Sequence, residues 1–203
     1  MVVPPGLTAD GCEIQFGTNH LAHALLIKLL LPTLLRTTEE HGDARIVCTS
    51  SQAFGFVDTI KFPELRSATA CDSGPLGGRY RYGQSKLANI LYAAELARRY
   101  PTIKAVSVHP GIVATGIGRE LGFTGRMFNR VVSRLVGQKW TTPEEGAHTQ
   151  LWAATAPQDK VENGAYYEPV AVPGRHTEAS KNAKLEAKLW EWAESELKNW
   201  CEE

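Results

Sequence analysis

Two short β-prone runs, Arg45-Ile-Val-Cys-Thr-Ser-Ser51 and Lys104-Ala-Val-Ser-Val-His-Pro-Gly111, stand on either side of a strongly helical segment. That arrangement constrains the fold more than any other feature of the chain. The helical pattern runs from Tyr82 to Tyr100, with Leu87, Ile90, Leu91 and Ala94 on one stripe, and Pro101 closes it. Consecutive strands joined through a helix pair in parallel, because the crossover returns the chain to the same end of the sheet. Gly164 to Val172 supplies a third strand candidate. Strands alternating with helices predict an α/β fold with a parallel sheet.

The remaining segments fit one domain. A long helical pattern covers residues 10 to 37, with Pro32 expected to bend or end it. Residues 54 to 81 are loop-rich, punctuated by Gly74-Pro75 and Gly77-Gly78. Thr142-Pro143-Glu144-Glu145 reads as a helix start, with Thr as cap, Pro at the first helical position and Glu three residues after the cap. A charged helix closes the chain from Glu178 to Trp200, with Leu185, Leu189 and Trp192 on one face. At 203 residues, with no internal repeat and no linker, the sequence predicts a single domain over 1–203.

Charge and cysteine usage narrow the function. Twenty-two basic residues balance twenty-two acidic ones, which gives no reason to expect nucleic acid as a partner. The N-terminal residues carry neither a basic nor an apolar signal region. The apolar run Leu21 to Leu35 is interrupted by His23, Lys28 and Pro32 and is expected to be a buried amphipathic helix rather than a membrane span. Cys12, Cys48, Cys71 and Cys201 form no Cys-x-x-Cys pair, so the expectation is a reduced, cytoplasmic protein without disulfides. His20 and His23 have ligand spacing but no third ligand nearby, and no metal site is predicted.

The chemistry concentrates at Tyr82-Gly-Gln-Ser-Lys86. Tyr82 and Lys86 lie four apart, on one helix face, so an ammonium sits near a phenol. A tyrosine with a pKa of about 10 is a poor proton donor or acceptor at neutral pH, and a neighbouring cation is expected to bring it toward the working range. Ser50-Ser51 ends a predicted parallel strand, where ligands bind in open α/β sheets. A hydroxyl there can stabilise charge developing on a reacting oxygen. Asn19 lies inside a helix, where asparagine is intrinsically unfavourable. His109-Pro-Gly-Ile-Val-Ala-Thr115 ends the next strand in a turn followed by a hydroxyl.

With Asn19, Ser51, Tyr82-Gly-Gln-Ser-Lys86 and Pro110-Gly-Ile-Val-Ala-Thr115 in this order, the chain resembles the short-chain dehydrogenase/reductase family. It is most similar to the branch of retinol-dehydrogenase-like and fungal secondary-metabolism enzymes. The resemblance implies a catalytic tetrad in which Tyr82 exchanges a proton with substrate and Lys86 lowers its pKa and holds the nicotinamide ribose. Ser51 would orient the substrate oxygen, and Asn19 would position Lys86 through water. Lys28, Val113 and Thr115 would lie on the cofactor side with Tyr82 and Lys86. The cofactor implied is NADP, with NAD as the alternative, and the substrate a small apolar carbonyl or alcohol. Many relatives are homo-oligomers.

One part of the family pattern is missing. No strand is followed by a Gly-x-x-x-Gly-x-Gly turn and a helix, the device that places a pyrophosphate on a helix N-terminus. The expectation is therefore a truncated domain: an incomplete Rossmann fold with about three retained parallel strands flanked by helices, binding NADPH weakly or not at all. The first strand would then lie at an open sheet edge. Residues 116 to 140 carry Arg119, Arg126, Arg130, Arg134 and Lys139 beside Leu121, Met127, Phe128, Val131 and Leu135. In the family this region is a lid over the substrate, and residues 54 to 81 are expected to help cover it. The alternatives are an inactive chain that binds a small molecule or protein, or association with an anionic membrane through residues 116–140.

Overall fold

A computed structural model describes residues 3–67, 74–113 and 140–200. Strand β1, Arg45–Thr49, leads through 3-10 turns into helix α2, Gly77–Arg99, and back to β2, Lys104–Val108. β1 and β2 pair in parallel from Arg45 opposite Lys104 to Thr49 opposite Val108. The two-residue strands β3, Ile112–Val113, and β4, Trp140–Thr141, form a separate parallel pair. β5, Tyr166–Glu168, joins β2 in parallel. The main sheet therefore holds the three expected parallel strands.

A short antiparallel strand, β6 (Val172–Pro173), extends that sheet beyond β5, giving the order β1-β2-β5-β6. The candidate strand 164–172 thus divides. Pro169 lacks an amide donor and Ala171 adopts a left-handed φ of 62°, so the chain reverses instead of continuing. Among the described residues no strand pairs with the outer side of β1.

Helices cover both faces of the sheet. α2 lies on one, together with α1 (Ile14–His41) and α4 (Ala183–Leu197), while α3 (Pro143–Thr155) covers the other. Alternation along β2 builds this sandwich: Ala105 faces the larger core, whereas Val106 and Val108 join Ala153, Val161 and Tyr167 opposite. In the larger core Leu87 and Leu91 of α2 and Leu189 and Ala193 of α4 are fully buried. Tyr92 stacks on Trp190 with ring centroids 5.0 Å apart.

Local signals explain the helix ends. Thr142 caps α3 reciprocally with Glu145: Glu145 N–H donates to Thr142 Oγ1 at 3.2 Å and Thr142 N–H to Glu145 Oε2 at 2.9 Å. Asn182 Oδ1 accepts from the amides of Lys184 and Leu185, so α4 begins there and not at Glu178. α1 contains one π turn, Gly17–Leu21, and ends at Gly42, whose φ of 76° suits a left-handed cap.

Three expectations are corrected. α1 does not end at Pro32 but continues to His41, because proline removes a single ladder bond on an exposed side of the helix. Nor is α1 a buried helix: beyond Ala22 only Ala24 is buried, and Leu26, Leu29 and Leu30 are exposed. By length and composition α1 could cross a bilayer, although here its inner side packs on the domain. Residues 54 to 65, expected as a substrate cover, instead place Phe54, Val57, Ile60, Phe62 and Leu65 in the core. Thr115 and the lid-like residues up to 139 lie outside the described residues.

Candidate active site

The carboxyl ends of β1 and β2 lie side by side, so Ser50-Ser51 and His109-Pro110-Gly111 leave the sheet at the same edge. Two hydrogen bonds carry the alignment past the strand ends: Ser50 N–H donates to the Val108 carbonyl at 2.7 Å, and His109 N–H to the Tyr167 carbonyl at 2.8 Å. Ser50 is buried, and its Oγ donates to the Lys86 carbonyl at 2.8 Å, which pins α2 to the end of β1. Ser51, one residue on and half-buried, accepts the Ala53 amide at 3.2 Å and hydrogen-bonds Tyr82. The adjacent serines thus divide the work: one fixes the helix and the other faces its tyrosine.

Gly83 lets the two elements approach. A Cβ at this position would stand 2.7 Å from the Ala53 carbonyl oxygen, a backbone atom that cannot swing aside. The close contact of α2 with the turn after β1 therefore needs glycine next to Tyr82. Lys86 Nζ donates to the Thr49 carbonyl at 3.1 Å and lies 5.6 Å from the centroid of the Tyr82 ring. Burial lowers its pKa to about 8.

Tyr82 itself departs from expectation. Burial raises the phenol above its ordinary pKa, and the hydrogen bond from Ser51 only partly offsets this. The Lys86 ammonium lies over the ring and is directed at the Thr49 carbonyl.

Asn19 joins the cluster through its neighbours. Its Nδ2 donates to Ser85 Oγ at 3.1 Å, and Ser85 Oγ donates to the Tyr82 carbonyl at 2.8 Å. Its own carbonyl accepts from Asn89 Nδ2 at 3.1 Å. The π turn around Asn19 brings that carbonyl and side chain toward α2 together. Asn89 and His20 were not among the site residues expected from sequence. The available signal was the one that marked Asn19, an asparagine in a helix interior, here three residues after Lys86 on the same helix.

The structure brings Asn19, Ser51, Tyr82 and Lys86 together, but not Lys28. Lys28 is nine residues along α1 from Asn19, about 13 Å at 1.5 Å per residue, and pairs with Glu194 of α4 at 2.7 Å. Val113 lies in β3, after the Gly111 turn, with its methyl groups where a Cβ on Gly146 of α3 would be. His20 is buried on Asn89 while His23 is exposed, so the pair does not act as two ligands on one face.

No model of a protein family matches the chain. It is 40% identical over 192 residues to an uncharacterised oxidoreductase of Schizosaccharomyces pombe, an alignment covering 90% of this chain and 55% of that protein. A short-chain dehydrogenase/reductase of Armillaria gallica is 34% identical, covering 96% of this chain and 60% of the relative. Human retinol dehydrogenase 14 is 39% identical over 79% of this chain and 45% of its own length. The chain belongs to the short-chain dehydrogenase/reductase family.

This short-chain dehydrogenase/reductase spans about half to two thirds of the length of the curated relatives it matches. Among solved structures, a Mycobacterium paratuberculosis protein superposes with a TM-score of 0.68 and 28% identity, covering 98% of this chain and 63% of that one. An NADPH-bound carbonyl reductase from chicken fatty liver shares the fold, with a TM-score of 0.51, 21% identity, and coverage of 79% of this chain and 55% of that one.

Proposed function

We propose that this chain carries the catalytic constellation of an NAD(P)-dependent oxidoreductase that interconverts a carbonyl and an alcohol on a small apolar substrate. The observation that carries the reading is the joint placement of Ser51, Tyr82 and Lys86 at the carboxyl edge of a parallel sheet, with the Lys86 ammonium against the Tyr82 ring. Ser51 and Tyr82 offer two hydroxyls to one reacting oxygen. Tyr82 would donate its proton to an oxygen gaining negative charge and take it back in the reverse direction. Ser51 would hold that oxygen, and Lys86 would supply positive charge beside the phenol as it ionises.

The residues fit the nicotinamide end of a dinucleotide better than its remainder. Lys86 is a half-buried ammonium able to donate to ribose hydroxyls, and Gly111, at φ 86°, turns the chain so that Val113 follows near the sheet edge. The first turn of α3 is already occupied by Glu144 and the Glu145 capping bond, so it offers no pyrophosphate site. The dinucleotide would supply or accept the hydride. NADP is favoured over NAD as the family-level expectation.

Turnover of small apolar aldehydes and ketones at high NADPH, followed by cofactor fluorescence and absorbance, tests the reading. Tyr82→Phe is expected to reduce kcat by roughly 10²–10⁴-fold, the range for loss of a general acid, with little change in cofactor affinity. Turnover that survives Tyr82→Phe, or none in the parent chain at saturating cofactor, would overturn it.

A further inference from the structure

Asn89 connects three groups on two other elements. Its amide nitrogen donates to the Asn19 carbonyl of α1 at 3.1 Å and to the Thr49 carbonyl of β1 at 3.0 Å, while its Oδ1 stands 3.0 Å from His20 Nδ1. Exchanging the amide nitrogen and oxygen would break both carbonyl bonds, so the orientation is determined. Oδ1 is then an acceptor, and His20 must carry its proton on Nδ1. Nε2 of His20 is left as a lone pair, buried without a hydrogen-bond partner among the described residues. Burial lowers the imidazole pKa to about 4 and keeps the ring neutral. Edge contacts with Phe16 at 5.1 Å and Tyr92 at 5.2 Å fix its plane.

The Thr49 carbonyl therefore accepts two donors, Asn89 Nδ2 and Lys86 Nζ, and both of its lone pairs are used. Asn89 also holds the backbone of the π turn from which the Asn19 amide reaches Ser85. We propose that Asn89, oriented by the Nδ1–H of His20, is a positioning residue of the Tyr82–Lys86 site. It shares the Thr49 carbonyl with the Lys86 ammonium, limiting that acceptor's hold on the charge, and holds Asn19 against Ser85. This role presupposes the oxidoreductase chemistry proposed above, but its physical effect is measurable without turnover.

Removing the Asn89 side chain frees one lone pair of Thr49 for the ammonium and admits water beside it. Both changes favour charged Lys86, so its titration midpoint should rise. The titratable groups facing Lys86 are Tyr82 on its own helix, Cys48 on β1 and His20 on α1. Cys48 is neutral, pushed up to about 12 by burial, and His20 is neutral above about pH 4.

The experiment is an NMR titration of the lysine Cε and Nζ resonances in the full chain, with Lys86 assigned by its loss in Lys86→Arg. In Asn89→Ala the Lys86 midpoint is expected to rise by about half a pH unit or more, roughly a threefold change in the ammonium-to-amine ratio at fixed pH. His20→Phe keeps a ring between Phe16 and Tyr92 but loses the Nδ1–H, and should shift the midpoint the same way by less. If Asn89→Ala does not fold, His20→Phe decides by the same criterion. Folded variants that lose stability but leave the Lys86 midpoint unchanged would show Asn89 to be purely structural and overturn the role. Absence of turnover in the parent chain would instead overturn the oxidoreductase reading and leave this measurement standing.

Discussion

α1 and α2 build the candidate site between them, yet they meet very different surroundings. α2 is buried along most of its length from Arg81 to Leu96, enclosed by the sheet, by α4 and by the turns carrying Phe54, Phe62 and Leu65. α1 is buried where it carries the site, at Phe16 and His20, and then continues for five turns with only Ala24 buried. Its outer residues Leu26, Leu29 and Leu30 are 46–57% exposed. The difference teaches that apolar composition does not set burial. A helix is buried by the number of elements packed around it, and among the described residues α1 has neighbours on one side only.

Substitutions at matched leucines give the largest test of this contrast. Leu91→Ala in α2 removes a fully buried side chain and should cost about 2–5 kcal/mol, read from the urea midpoint at unchanged slope. A cost below about 1 kcal/mol would mean that α2 is less enclosed than described.

Acid sensitivity sets a histidine of α1 beside one at the end of β2. His20 and His109 are both lowered to about 4 by burial, against 6.5 for the free side chain. Between those values the unfolded chain binds more protons than the folded one, so stability falls as pH drops from about 6.5 toward 4. Each histidine contributes on the order of a few kcal/mol to that loss. Urea midpoints across pH 4 to 7 should therefore slope upward with pH, and His20→Phe should remove part of the slope while the His109 share remains. An unchanged slope in that variant would mean that His20 is protonated in the folded chain.

The smallest effect belongs to the outer face of α1. Leu29→Lys, at a position 57% exposed, should change stability by no more than about 0.5 kcal/mol. It should also lower self-association in light scattering, since it breaks an exposed apolar patch. A large destabilisation would show that this face is covered in solution.

Much of the fold was legible in local sequence. The β1–α2–β2 unit, its parallel pairing and the Thr142 capping box follow from periodicity and cap chemistry confined to a few residues. The Tyr82–Lys86 spacing was legible for the same reason, since one helical turn brings the two side chains together. Asn89 and His20 were not, because their partners lie 40 to 70 residues away in the chain. The ion pair of Lys28 was illegible on similar grounds: its acidic partner, Glu194, comes from α4 near the other end of the sequence.

Sequence by itself determined the class of fold, the family and the four polar residues Asn19, Ser51, Tyr82 and Lys86, because spacing within helices and at strand ends is a local property. Tertiary structure decided what surrounds them. It set Ser50 apart from Ser51, turned the Lys86 ammonium onto the Thr49 carbonyl, and raised the Tyr82 phenol by burial. It also left one helix enclosed and the other half bare. Desolvation and shared hydrogen-bond acceptors depend on which distant segments pack together, and no short stretch of sequence carries that information.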